Sequence, residues 1–197
     1  MSRENKLIRR IKKGLVEIKN TSELMIDLAY SALIFDSKEI AEEVQRLEEY
    51  VDKLHTKFER DVLSKERVAE QADEFLSLIR LSIAAENIAD AAAQIAETVL
   101  RGIEPHPILT VVVNEAEETV TKVEVAKDSI LAGKTLEDLD LPNEIGMRII
   151  AIRRKRKWLY SPSGRSRIEP MDTLIARGYA EGKPVLEGLA AGRIREL

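Results

Sequence analysis

From Leu7 onward, apolar or small residues recur at Ile8, Ile11, Leu15, Ile18, Ser22, Met25, Ala29 and Ala32, the alternating steps of three and four that hold one stripe on one face of a helix. The apolar surface widens over Leu24 to Phe35, which predicts burial by more than one neighbour. Asp36 and Ser37 then offer a break and an N-cap. A second helix follows with Ile40, Val44, Leu47, Val51, Leu54 and Phe58, and a turn is expected near Ser64. A third segment carries Val68, Phe75, Leu78, Ile79, Ile83, Ile88, Ile95 and Val99, and ends at Gly102, with Pro105 and Pro107 blocking its resumption. Three long helices joined by short turns predict an up-down-up antiparallel bundle.

After the proline-rich connector RGIEPHPILT (101–110) the period changes from 3.6 to 2. Ile108 to Val113 reads either as a short strand or as more connector, and Asn114 to Glu118 as turn-like. TVTKVEVA (119–126) alternates as a half-buried strand. Gly133 to Asp140 predicts a helical turn facing Leu136 and Leu139 inward and closed by Pro142. Gly146 precedes MRIIAIRRKRKWLY, in which Met147, Ile149 and Ile152 share a side. Ser161 to Ser166 turn the chain, Met171 to Gly178 form the last strand, and GKPVLEGLAAG (182–192) a closing helix. The expected class is therefore α+β. A helical domain spans 1–104, a linker 105–118, a small α+β module 119–192 and a tail 193–197.

The composition removes several kinds of chemistry. With no cysteine in 197 residues, disulfides, thiolate zinc sites and thiol catalysis are excluded. No run approaches the roughly 20 apolar residues of a membrane span, and the start lacks a signal-peptide core, so a cytoplasmic protein is expected. No Gly-x-Gly-x-x-Gly occurs, which argues against nicotinamide chemistry. No nucleophile stands with a base, so no enzyme is expected. The net charge of −4 falls mainly on the helical half and does not suit a dedicated nucleic-acid binder. His55 and His106 show no partner in the sequence.

Two features invite binding. Carboxylates recur four apart at Glu23/Asp27, Glu39/Glu43, Glu48/Asp52 and Glu86/Asp90, where like charges share a helix face. With turns at Asp36 and Ser64, Glu86 and Asp90 fall level with Asp36, Glu39 and Glu43, an oxygen-only set suited to a divalent or iron-type cation; a solvated acidic stripe is the competing reading. The ribbon from Arg153 to Lys157, with Trp158, Tyr160, Arg165 and Arg167 nearby, suggests nucleic-acid binding or, alternatively, an edge guarded by charge.

AENIADAAAQIAE (85–97), with Asp36 and EIAEEV (39–44), resembles the PhoU-like three-helix bundles. The resemblance implies a metal site to which a Glu-x-x-x-Asp motif, here Glu86 and Asp90, contributes. GKTLEDLDL (133–141), Gly146 with IIAIRR (149–154), Pro162, and the run from Ile168 through Asp172 to Gly178 resemble the RCK C-terminal, or TrkA-C, domain. That resemblance implies a dimerising sensor with a small-molecule cleft between two copies, in some relatives for a cyclic dinucleotide. Pro142, Arg148, Ile150 and Pro162 are the corresponding positions, although those relatives carry Arg in place of Pro142 and Asn near Arg148. It implies that Asp172 ties the turn before the last strand. The combined expectation is a homodimeric accessory protein of potassium or other cation transport that senses a nucleotide-like ligand and acts on a separate membrane transporter or channel subunit.

Overall fold

The computed structural model describes residues 3–64, 72–103, 116–155 and 157–196, together with His106, Ile108 and Val112. The chain separates into two compact units, Met1–Glu104 and Pro105–Leu197. The alternative strand at Ile108 to Val113 and the turn at Asn114 to Glu118 lie largely outside the described residues.

The first unit comprises α1 (Arg3–Ile34), α2 (Lys38–Leu63) and α3 (Ala72–Leu100). The predicted seam of α1 is the buried one, with Ile11, Ile18, Met25, Ala29 and Ala32 in the core, and Leu28 joining them where the apolar surface widens. Ser22 sits in that core because its hydroxyl donates to the Ile18 carbonyl at 2.9 Å, so no polar group is orphaned. Asp36 adopts a left-handed φ of 46° and Ser37 caps α2 by accepting from the Ile40 amide. Both acts follow from short polar side chains that tolerate or favour non-helical backbone. Phe58 of α2 is buried against Gly14, whose missing Cβ would stand 3.3 Å from the ring.

Helix α3 departs from expectation. Phe75 and Val99 are buried as expected, but between them the buried face is built from Ser82, Ala85, Ala89, Ala92, Ala93 and Ala96, whereas Ile83 and Ile88 are exposed. The reason is that apolar residues are spread over more than one face of α3, so spacing alone does not choose a face, and the small residues win because they let the neighbouring helices approach.

In the second unit β1 (Glu118–Glu124), β2 (Met147–Arg154), β3 (Lys157–Tyr160) and β4 (Thr173–Tyr179) form one antiparallel sheet in the order β1-β4-β2-β3. Between β1 and β2 lie α4 (Leu136–Leu139) and α5 (Leu141–Ile145), and α6 (Gly182–Ala190) follows β4. Val123, Leu139, Leu141, Met147, Ile149, Ile152, Ile168, Leu174, Leu186 and Leu189 make up most of the core.

Thr135 and Asp138 close a reciprocal capping box on α4, as threonine followed three residues later by an acid allows. Pro142 does not end this helix but lies in the first turn of α5, where its missing N–H costs nothing. Ile149 and Ile152 are three apart and both face the core. An ordinary strand forbids this, and a bulge between Ile149 and Ala151 in the pairing with β4 resolves it. Gly178 lets β4 pass close to Gly146; a Cβ there would collide with the Gly146 carbonyl oxygen.

Candidate functional site

The residues singled out on the sheet module occupy one region. Arg148 is the exposed second residue of β2 and lies directly opposite Arg177 of β4. Ile150, the bulge residue, is buried, and its carbonyl accepts from the Ser161 amide at 2.9 Å. That bond pins the loop one residue before the half-buried Pro162. Pro142 is exposed on α5, two residues before which Asp140 takes a left-handed φ of 40°.

The same loop is held at its far end by Asp172. This carboxylate is 1% exposed and takes a two-pronged ion pair from Arg154, Nε to Oδ1 at 3.0 Å and Nη2 to Oδ2 at 2.8 Å, while the Glu169 amide donates to Oδ2 at 2.8 Å. Arg154 also donates to the Arg167 carbonyl at 2.8 Å and pairs with Glu169. Its hydrogen bond to Asp172 raises the guanidinium pKa above its usual value, so the charge is permanent. The expected structural role of Asp172 is thus visible in atomic contacts. Sequence reasoning missed Arg154 as its partner, having grouped it with the basic ribbon.

The ribbon itself is dismantled by the fold. Arg154 is committed to this clamp, Arg167 donates to the Gly133 carbonyl, and Arg153 lies 5.5 Å from the Trp158 ring and donates to the Thr173 hydroxyl at 3.3 Å. Trp158 stacks on Tyr160 with centroids 5.8 Å apart. The aromatic faces that base stacking requires are used within the module, as are three of its cations.

In the helical unit the acids gather differently from expectation. Gln45 of α2 donates to the Ala93 carbonyl of α3 at 2.9 Å, which fixes the register of the two helices. Asp90 consequently falls level with Glu48, and oxygens of Glu48, Asp52 and Asp90 lie within 4.8 Å of one another. Asp36 and Glu39 stand at the start of α2, about ten residues or roughly 15 Å from where the expected grouping needs them. The register that the Gln45–Ala93 hydrogen bond fixes, and not the one counted from a turn at Ser64, decides which acids meet.

Burial, followed by repulsion from Asp52 and Asp90, raises the Glu48 pKa above its ordinary 4.5. Glu86 is raised by burial and then by Asp90, with His55 acting against it. His55 approaches Glu59 at 3.4 Å, so the histidine stands beside this acidic group.

Comparison with known proteins agrees with both halves. A model of the PhoU domain matches residues 15–99, and a model of the TrkA-C domain matches residues 120–182. The chain joins a PhoU domain to a TrkA-C domain. The chain is 32% identical over 96 residues to the Ktr system potassium uptake protein C of Bacillus subtilis, and 31% identical over 86 residues to the probable potassium channel protein 2 of Methanocaldococcus jannaschii. These alignments take in 49% and 43% of this chain, and 42% and 25% of those relatives, so the chain spans less than half the length of either. Among solved structures, the RCK C domain of the potassium transport protein KtrA in complex with cyclic diadenosine monophosphate is 26% identical, with a TM-score of 0.33 and coverage of 41% of this chain and 92% of that one. The PhoU domain carries the carboxylate cluster, and the TrkA-C domain the surface around Arg148. Among the described residues no helix is long and apolar enough to cross a membrane.

Proposed function

We propose that this chain is a regulatory subunit of potassium or related cation transport, in which the TrkA-C domain binds a small anionic ligand of nucleotide type and the signal passes to a separate membrane transporter or channel. The carrying observation is the TrkA-C match at residues 120–182, together with the likeness to a potassium uptake protein and a potassium channel protein. The geometry around Arg148 supports it. An exposed guanidinium on a rigid strand, beside a loop pinned at Ser161 and clamped at Asp172, offers an anion a partner that needs little reordering. Two copies of the chain form the working unit, with the ligand between them. In this reading the protein binds and transmits, and carries out no catalysis.

Affinity purification of the tagged full chain from membranes, with identification of the recovered proteins, tests the partner. Recovery of a cation-transporter subunit is expected. Finding none, together with a melting temperature that no nucleotide shifts, would overturn the proposal.

A second reading is favoured by one observation, the convergence of Glu48, Asp52 and Asp90. An all-oxygen set of this kind fits a hard or redox-flexible cation such as magnesium, manganese or iron, with Glu86 one turn away as a further donor. Manganese titration of the full chain followed by calorimetry is expected to show one saturable event that Glu48→Gln removes. Binding unchanged by that substitution excludes this site.

A further inference from the structure

We propose that the outward face of α1 between Lys6 and Val16 docks the helical bundle on an anionic lipid surface, with Lys6, Arg9, Lys12 and Lys13 meeting lipid phosphates and Ile8 and Val16 entering the headgroup layer. The inference goes beyond the regulatory reading and does not rest on the ligand of the TrkA-C domain.

The stretch KLIRRIKKGLV (6–16) holds five cations and no acid, in a chain whose net charge is −4. Helical spacing sorts these cations. Ile11 and Ile18 are buried in the bundle core, which turns the opposite side of α1 outward. Arg10 lies toward α2, where its Nε donates to the Asp61 carboxylate at 3.1 Å. Lys6, Arg9, Lys12 and Lys13 are exposed, and among the described residues none of the four makes a hydrogen bond or ion pair. Lys6 stands three residues before Arg9, and Arg9 three and four before Lys12 and Lys13, so each like charge neighbours the next on the helix surface. The next acid along the chain, Glu17, accepts from the Tyr50 hydroxyl of α2. The mutual repulsion of the four cations is therefore relieved only by anions from outside the chain.

The apolar residues of this face choose among polyanions. Ile8 and Val16 are each 48% exposed, and Ile8, Lys12 and Val16 are successive members of one i, i+4, i+8 row about 12 Å long. A helix lying in a membrane interface buries such aliphatic side chains at the boundary of headgroups and acyl chains, while lysine and arginine stems reach back to the phosphates. A nucleic acid offers the phosphates without the apolar layer, and its bases call for aromatic side chains, of which there are none between Lys6 and Val16. Because Ile11, Ile18 and Met25 anchor α1 in the core, the face is presented already folded, and docking orders little of the chain.

The test is co-sedimentation of the full chain with vesicles of equal parts phosphatidylglycerol and phosphatidylcholine, and with vesicles of phosphatidylcholine alone, each at low and at moderate salt. Binding to the anionic vesicles only is expected, and it should weaken as salt rises. Lys12→Gln combined with Lys13→Gln should weaken it by roughly twentyfold, at about fivefold for each cation brought to an anionic surface. Ile8→Gln combined with Val16→Gln should weaken it several-fold at both salt concentrations, since a lost apolar contact is not screened. All four side chains are exposed, so the 222 nm helical signal should stay unchanged. Lys53→Gln with Lys57→Gln, on α2, removes the same charge elsewhere in the bundle and should leave binding as it was. No sedimentation with anionic vesicles at low salt overturns the proposal, as does sedimentation that survives the loss of Lys12 and Lys13. Release from the vesicles by a short DNA duplex, with no effect of the Ile8 and Val16 substitutions, assigns the face to nucleic acid and overturns it equally.

Discussion

The PhoU bundle and the TrkA-C module are specified by different kinds of information. In the bundle, α1 and α2 repeat the same apolar spacing for many turns, and any helix so patterned finds a partner face. Sliding one helix past another by a whole turn changes little in that pattern, so register rests on a few contacts such as Gln45 with Ala93 and Arg10 with Asp61. In the module, single residues decide. Asp172 is irreplaceable by another acid's position because three groups converge on it, and Gly178 because a carbonyl oxygen occupies the space of its side chain. Repetition tolerates change at any one place, whereas punctuation does not.

Gly178→Ala is the strongest test of this contrast. Steric collision of the new Cβ with the Gly146 carbonyl should destabilise the module by about 3 kcal/mol, at the upper end of overpacking costs. Near-ultraviolet circular dichroism, which reads Trp158, should lose its signal at a lower temperature, while the helical signal of the bundle persists. Equal loss of both would show that the two units are not separately specified.

Next in size is Asp172→Asn. It removes a buried carboxylate from a half-exposed arginine, and a cost of roughly 2–3 kcal/mol is expected once the exposure of Arg154 is allowed for. Urea unfolding followed by tryptophan fluorescence measures it; a change below a few tenths of a kcal/mol would mean that the loop is held elsewhere. In the bundle, by contrast, Glu48→Gln should stabilise by only a few tenths of a kcal/mol, by relieving like charges on one face.

The sign of the pH dependence sharpens the same point. Glu48 and Glu86 have pKa values raised above 4.5 by burial and by neighbouring acids, so each binds its proton more tightly when folded. The bundle should therefore gain stability as pH falls from neutrality into the range just above 4.5, and lose that gain as pH rises again. Thermal melts of the 222 nm signal between neutral and mildly acidic pH check this. A melting temperature that falls over that range would contradict the crowding of Glu48, Asp52 and Asp90.

How much was legible follows the same division. The helices, the Ser37 cap, the helical turn after Gly133 and the turn-tying role of Asp172 were readable because each depends on residues close in sequence or on a distinctive side chain. The acidic cluster was misplaced because its geometry depends on the register of α3 against α2, which a contact such as Gln45 with Ala93 sets and helical spacing alone does not. The middle of the buried face of α3, between Phe75 and Val99, was misread because alanine scores weakly as a core residue although it packs most closely. Arg154 was hidden among five consecutive basic residues that look alike in sequence and differ only in what the fold sets beside them. Arg177 drew no attention, since only strand pairing brings it to Arg148.

The extra residue at Ile150 carries a consequence for how this strand can change over time. It works as a phase correction: before it, Met147 and Ile149 point into the core, and after it Ile152 does so in place of its neighbour. Loss of one residue here would send Ile152 outward and turn Arg153 toward the hydrocarbon interior. Substitution at this position is a local matter, whereas a change in length inverts everything downstream to the end of the strand. The count of residues between Gly146 and the hairpin is therefore under tighter constraint than their identities.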